Sequence, residues 1–544
     1  MEVVTESKDA EKELSKYIIN KFEKLKLGKS TWESHWKELT TYFLPEKDKV
    51  WGGGIAGEKK GQAIFDSIGR RSAERLASAL HGMLTNPSVQ WFSFSTGIPA
   101  IDNKEENAKW LQEVAKMINS ILNTSNFQSE IHEVYLDLSS LCTSHLRVEE
   151  DEIEVVRFTS RPIYECSVSE NYKGVIDTMY YEYKRTLDQI VDEYGSTGKL
   201  PQKMLDMQHK EPLKEYTIIQ AIEPTHRLPD GLKHPMLDVT SVHILKDENI
   251  ILKISGFEEN PCIVSRFYKL SGEMYGRGPS MYALPDVKTC DQMMKVWLEG
   301  AQLAINPPLQ MPDEGVLLPV RFVPGGTNYY RADSKDRIEP IITGANPGVG
   351  HQVIEMIHEN IEKAFYIDQL HLVESDRMTA TEVMQRRDEQ LRTLSPIIGR
   401  LMYELHAPII TRIFGIANRR NLLPPIPQEL AKSKLEVKFT SQLAKAQESI
   451  DADSATRAFQ TVAGMAQLDP AIVDILNLDE HARYIYKSLG APLHLLHTEK
   501  ETQDARTQKQ KQQQQAQQAQ LDQANSQSMK NVAQAKAVTP PEGQ

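Results

Sequence analysis

The run GEMYGRGPSMYALPDVKTCDQMMKVWLEGAQLAINPPL, Gly272 to Leu309, sets the architecture of everything around it. Between Pro285 and Asn306, residues Val287, Cys290, Met293, Met294, Trp297, Leu298, Ala301 and Ile305 recur at helical spacing and share one apolar face. Asn306-Pro307-Pro308 ends that helix, because proline donates no N–H and pushes the preceding residue out of helical geometry. Pro285 and Asp286 read as its first residues, where a missing N–H costs nothing and a carboxylate suits the positive helix end. About twenty residues at ~1.5 Å each make a rod of about 30 Å.

Downstream, residues 307–347 are rich in Pro and Gly, with short apolar runs such as VLLPVRFV. A second rod follows, marked by Val353, Ile354, Ile357, Ile361, Ala364 and Phe365, and then the loop HLVESDRM. The capping box Thr379-x-x-Glu382 announces a third helix reaching about Asn418, with kinks expected at Pro396 and Pro408. Two rods flanking a small insertion, with a third beyond, predict an elongated object.

Upstream, Trp32, Trp36, Leu39 and Phe43 form a helical stripe that Pro45 ends, and WGGGIAG (Trp51 to Gly57) follows as a loop. Two more stripes, Ile68 to Leu84 and Trp110 to Ile121, make the first 140 residues read as helices. From Leu146 the period becomes two, and residues 146–270 read as strands and hairpins in a mixed region. Within it Thr186-x-x-Gln189 opens one short helix that Gly195 closes. The fold class expected is α+β, mainly helical.

In the tail, residues 501–544, Gln supplies 14 of 44 positions, so the segment cannot build a core alone. No Gly or Pro interrupts Glu501 to Val538, which leaves two readings: a long polar helix supported by neighbouring copies, or a disordered tail.

Lys+Arg 63 against Asp+Glu 75 gives a formal charge of −12, which argues against a surface built throughout to hold nucleic acid. The four cysteines, Cys142, Cys166, Cys262 and Cys290, form no CxxC pair, and a reducing setting is expected. Neither a signal peptide nor a membrane span is expected, since no apolar run approaches 18 residues.

Chemistry is sparse. Gly52 to Gly57 is followed by Glu58 where a phosphate-binding loop needs Lys, and Gly195 to Lys199 has Leu200 where the hydroxyl should be and lacks the spacing. His494 and His497 stand at i, i+3 with no acidic residue between them, and no HExxH or GxSxG occurs. No catalytic residue, metal ligand or cofactor is expected. The residues alone leave open a structural or scaffolding protein, or an enzyme without a recognisable motif.

Four stretches, in consistent order from about residue 30 to 500, resemble the head-to-tail connector, or portal, family of short-tailed bacteriophages. The first is Trp32, Trp36 and Tyr42 to Pro45, then Phe65-Asp66-Ser67 leading into RLASALHGMLTNPSVQWFSF, with Trp91 and Phe92. The second is the opening run, with Tyr275, Gly276, Arg277, Pro279, Pro285, Asp286, Pro307 and Pro308 at motif positions. The third is MTATEVMQRRDEQLRTLSPIIGRLMYELHAPIITRIF, with Thr379 and Glu382; the fourth is VKFTSQLAKAQESID. Two places depart from the pattern: Cys142-Thr-Ser-His145 stands where a Gly-Thr-Gly is usual, and Cys290-Asp291 where Leu-Asn is common.

The resemblance implies a portal fold: N-terminal helices and a mixed wing (1–279), a stem helix (280–306), a clip (307–347), a second stem helix (348–370), a tunnel loop (371–380), a long kinked helix returning to the wing (381–439), a crown (440–500) and a barrel or disordered tail (501–544). It implies a homo-oligomeric ring of twelve subunits at one capsid vertex, assembled in the host cytoplasm, that passes double-stranded DNA without sequence specificity. The implied partners are the major capsid and scaffolding proteins, the terminase large subunit, and tail adaptor and tail tube proteins. His371, Glu374, Asp376, Arg377, Arg386 and Arg387 become channel candidates, the arginines steering DNA unless they simply pair with Glu382 and Asp388 on a solvated helix. The negative charge agrees with this use, because each phosphate neutralised adds salt-dependent affinity and a gripping channel would stall its cargo.

Overall fold

The computed structural model of this chain describes residues 8–47, 61, 64–102, 104–311, 319–320, 329, 338–341, 347–370, 394–439, 454–462, 464, 477–488, 496 and 499–537. Two compact units divide it: Met1–Trp91 with Ala115–Pro424, and Phe92–Val114 with Pro425–Gln544.

The N-terminal stripe extends into one long helix, α1 (Lys8–Phe43), and the next stripe becomes α2 (Ile68–Leu84). A short strand, β1 (Phe92–Ser95), interrupts the helices expected there; its FSFS run has the alternation of a strand but is only four residues long. Then come α3 (Glu105–Thr124) and α4 (Phe127–Leu141). The mixed region begins as anticipated, with β2 (Thr143–Asp151) and β3 (Val155–Ser160), followed by β4 (Cys166–Glu170) and β5 (Ile176–Thr186). Asn171 makes the β4–β5 turn, its Oδ1 accepting the Lys173 and Val175 amides.

Helix α5 (Leu187–Tyr194) starts at the expected capping box, both halves of which are formed by Thr186 and Gln189. After α6 (Gln202–Gln208) come β6 (Glu215–Pro224), β7 (Val239–Leu245), β8 (Ile250–Phe257) and β9 (Cys262–Arg266). Strands β4 to β8 form a five-stranded antiparallel sheet in sequence order, and β3-β2-β9 a three-stranded one.

The five-stranded sheet explains its own sequence. Successive side chains on a strand face opposite ways. Ile219, Ile244 and Ile251 face α1, packing with Ile18, Ile19, Phe22 and Tyr180. Their neighbours Ile218, Leu245 and Leu252 face α5 and α6, packing with Leu187, Ile190, Tyr194 and Met204. Central β7 is covered on both sides, so VTSVHIL is buried at every position and shows no polar alternation. Each such side chain removed from water contributes about 1.5–3 kcal/mol before ordering costs.

The central rod is α7 (Pro279–Ile305). It begins six residues before Pro285, which corrects the expected start: Pro279 occupies the first-turn position where a missing N–H is harmless, and Pro285 lies inside the helix with its side chain exposed. Beyond Asn306, β10 (Leu309–Gln310) pairs with β11 (Glu339–Pro340), bringing the two ends of the 307–347 insertion together. The second rod is α8 (Pro347–Ala364); Tyr366, at φ 58°, breaks it before the turn Ile367–Leu370.

Residues 394–401 are helical, then a π turn runs Met402–His406, and α9 (Ala407–Arg419) resumes. The Ala407 amide bonds to the Met402 carbonyl, so the helix widens by one residue just ahead of Pro408, which has no amide to give. This is where a kink was expected. The Thr379–Glu382 box lies outside the described residues.

In the second unit, β1 pairs antiparallel with β12 (Glu436–Phe439), Phe92 opposite Phe439. Asp102 closes the turn after β1 by accepting from Ser95, Thr96 Oγ1 and the Thr96 amide. Helix α10 (Leu478–Ser488) precedes α11 (Glu499–Ala537), a continuous 39-residue helix through the Gln-rich segment.

Candidate functional site

Chain geometry concentrates where α7 is launched. Helix α4 ends at Cys142, which takes the left-handed conformation (φ 63°) usually given to glycine, and the chain turns straight into β2. Tyr275, Gly276 and Arg277 cross this corner beside β9. The Gly276 amide donates to Thr143 Oγ1 at 2.8 Å, and an added Cβ there would lie 2.5 Å from the Cys142 carbonyl oxygen. Tyr275 is buried edge-on against Trp36, ring centroids 4.9 Å apart. Arg277 grips Glu273 with two nitrogens and lies over the Trp32 ring. Pro279 is buried at the helix start, and Ser280 donates to the Ser140 carbonyl at 2.6 Å. This motif is a knot of close packing that aims α7.

Helices α7 and α8 run antiparallel: Trp297 stacks near His351 at 6.3 Å, while Cys290 and His358 meet at one carboxylate lower down. Near the launch point the pair is clamped to its surroundings. Val287 and Cys290 are buried, Phe365 meets Phe43 at 5.7 Å, and Tyr268 and Tyr366 share a short hydroxyl contact. Further along, the apolar face expected from the sequence is only partly covered, with Met293, Met294, Trp297 and Ala301 half-buried, and apolar side chains are exposed on the opposite side of α7 as well. Val296 is 65% exposed and Ile305 85%, and Leu298, Leu303, Leu309, Met311, Ile341 and Met356 are exposed as well.

Of the other positions singled out, Trp91 is buried against Phe127 and near His406, and Phe92 pairs into β1–β12. Asp286 is exposed on α7. The Pro308 carbonyl accepts the Ile341 amide at 2.8 Å, closing the insertion at its base. Pro307 stands beside it, half-buried. His371, Glu374, Asp376, Arg377, Thr379, Glu382, Arg386, Arg387, His494 and His497 lie outside the described residues.

One cluster was not anticipated. Asp66 is buried, with Cys290 Sγ at 3.4 Å and His358 Nε2 at 2.6 Å from its Oδ2. Burial, then the Asp66 charge, pushes the Cys290 thiol up to about 12. Asp66 stands 224 positions from Cys290 and 292 from His358, so no spacing motif betrays them. The available hint was Cys290-Asp291, polar groups standing on an otherwise apolar helical face.

Among the described residues no helix is long and apolar enough to cross a membrane.

Residues 15–496 match the family described as bacteriophage head to tail connecting protein. The chain is similar to a probable portal protein of Bordetella phage BPP-1, at 29% identity over 497 residues covering 90% of this chain and 89% of that one. It is also similar to the portal protein of Salmonella phage epsilon15, at 25% identity over 535 residues and 96% of each chain. Among solved structures, a chain from the virion of a native gene transfer agent particle aligns over 79% of this chain and 92% of its own, with 12% identity and a TM-score of 0.35.

Proposed function

Because this chain belongs to the bacteriophage head-to-tail connecting protein family, we propose that it is the portal of a phage particle: a ring at one capsid vertex through which DNA is packaged and ejected. It is a virion component and a ring-forming homo-oligomer, and its family is structural. The observation that carries the reading is the α7–α8 hairpin. Its distal half leaves apolar side chains on opposite sides of α7, among them Val296 and Ile305, uncovered by any described residue, and neighbouring copies of the same hairpin on either side supply matching surfaces.

The finer assignments rest on the family resemblance, carried onto this chain in order along the sequence. Twelve subunits form the ring; α7 and α8 are its stem, 307–347 its clip, 371–380 its tunnel loop, and residues 440–500 its crown. The clip, with its β10–β11 base, serves the terminase large subunit first and the tail adaptor and tail tube proteins later. Major capsid and scaffolding proteins meet the wing. His371, Glu374, Asp376, Arg377, Arg386 and Arg387 fall between stem and kinked helix, where the channel would narrow. A formal charge of −12 per copy keeps the conduit from binding its cargo statically.

Negative-stain imaging of the purified protein, with light scattering, tests this. Rings with a central pore and a mass that is a multiple of 61.7 kDa are expected. A monodisperse monomer at near-physiological salt would overturn the proposal.

A further inference from the structure

We propose that Asp66, Cys290 and His358 together bind one transition-metal ion of the zinc type, tying the loop before α2 to both α7 and α8. The site is independent of the conduit reading and would stand if that reading failed.

Three segments far apart in sequence deliver three donor classes to one point: a carboxylate oxygen, a thiol sulfur and an imidazole nitrogen, all within 4.8 Å of one another. In a tetrahedral zinc site with bonds of about 2.0–2.3 Å, donor atoms stand about 3.3–3.8 Å apart. The sulfur–oxygen pair is already at that spacing, 3.4 Å. The nitrogen–oxygen pair, now 2.6 Å, has to open by less than an ångström. His358 can make that move, because its side chain is 30% exposed while Asp66 and Cys290 are buried. The same exposure supplies an entry path and water for the fourth position. The sulfur and nitrogen donors select zinc or cobalt over magnesium or calcium.

The surroundings orient the carboxylate. Asp66 Oδ1 accepts the Ile68 amide at 2.8 Å, which leaves Oδ2 turned to the cluster. Asp291 Oδ1 accepts the Phe65 and Asp66 amides at 2.6 and 3.0 Å, holding the loop in place. Partners of this outer kind tune metal sites strongly. Binding balances simply. The Cys290 thiol releases its proton to solvent, the imidazole proton moves to Nδ1 so that the Nε2 lone pair faces the ion, and thiolate plus carboxylate neutralise the dication in a buried place.

Cobalt titration of chelator-stripped, full-length protein decides. One Co²⁺ per subunit is expected, with thiolate-to-cobalt charge-transfer absorption in the near ultraviolet and ligand-field bands of tetrahedral strength, both removed by added Zn²⁺. Cys290→Ser should abolish the charge-transfer band, and Cys142→Ser, Cys166→Ser and Cys262→Ser should keep it. Asp291→Ala, which removes the acceptor of the Phe65 and Asp66 amides, should weaken binding by about 10–100-fold. His358→Gln, a change at a partly exposed side chain, should lose the tetrahedral spectrum with the fold intact. No stoichiometric cobalt in the wild type, or a band surviving in Cys290→Ser, or unchanged binding in His358→Gln, would each overturn the site.

Discussion

Gly276 approaches backbone on one side and the Arg266 side chain on the other; an added Cβ would stand 2.5 Å from the Cys142 carbonyl oxygen and 2.8 Å from the Arg266 Cβ. Neither neighbour can yield, since Arg266 is itself locked to Glu404 and Glu170 with its side chain 2% exposed. Gly276→Ala should therefore destabilise the protein by about 1–3 kcal/mol, the usual cost of overpacking. Gly82→Ala, at an exposed helical site with open space, should stabilise it by about 0.5–1 kcal/mol; thermal midpoints compare the two. Cys142 answers a question the sequence raised. It holds the left-handed position that a glycine would fill, and its Sγ packs against Gly278 and lies 3.1 Å from Ser280 Oγ. Three buried histidines give the fold a pH dependence of known sign. Burial lowers His145, His243 and His406 to about 3. Above pH ~6.5 each is neutral whether folded or unfolded and contributes nothing; between ~6.5 and 3 the unfolded chain takes up protons that the folded one refuses. Stability should fall with decreasing pH by up to about 1.4 kcal/mol per unit for each histidine. Denaturation midpoints from pH 7 to 5 check this, and His406→Gln should flatten the slope.

Helix α11 differs from the other long helices among the described residues in having no apolar face, and its described side chains are almost all exposed. Gln and Ala favour helix, but propensity alone sustains a long helix only marginally in water. Its clearest tie to α10 is the Arg506–Asp479 pair, fully exposed and screened by solvent. Neighbouring copies at high local concentration can supply the support, so residues 501 to about 538 should bundle around the pore axis as a wet barrel. Truncation at Thr502 should leave rings intact while impairing DNA retention or ejection. Hydrogen exchange on the assembled ring gives the structural answer: slowed amides from Gln508 to Gln527 support the barrel, and exchange as fast as in an isolated peptide removes it.

Rings should depend on the exposed distal apolar side chains of the α7–α8 hairpin, Val296 on one side of α7 and Ile305 on the other. Charged side chains placed there are harmless to a lone subunit, because Val296 and Ile305 are already in water, but they would be buried against a neighbour at considerable cost. The double variant Val296→Asp, Ile305→Asp should keep the wild-type circular dichroism while light scattering shifts to lower mass. Retention of full ring mass would mean that the hairpin face is not the subunit contact.

Helical stripes, the Thr186–Gln189 box and the strand period of residues 146–270 were legible in the sequence, because each is encoded within a window of a few residues. So was the family, whose motif at Tyr275 to Pro279 is contiguous. The true start of α7 was less so: two prolines six residues apart both suit a first turn, and only the packing of Gly278 on Cys142 and the bond from Ser280 to the Ser140 carbonyl chose between them. Strand β1 escaped notice because four residues carry little period and its partner β12 lies some 345 positions away. The Asp66–Cys290–His358 cluster was invisible for the same reason. Periodicity reports which face of an element is apolar, while the meeting of side chains from distant segments depends on which faces the folded chain brings together.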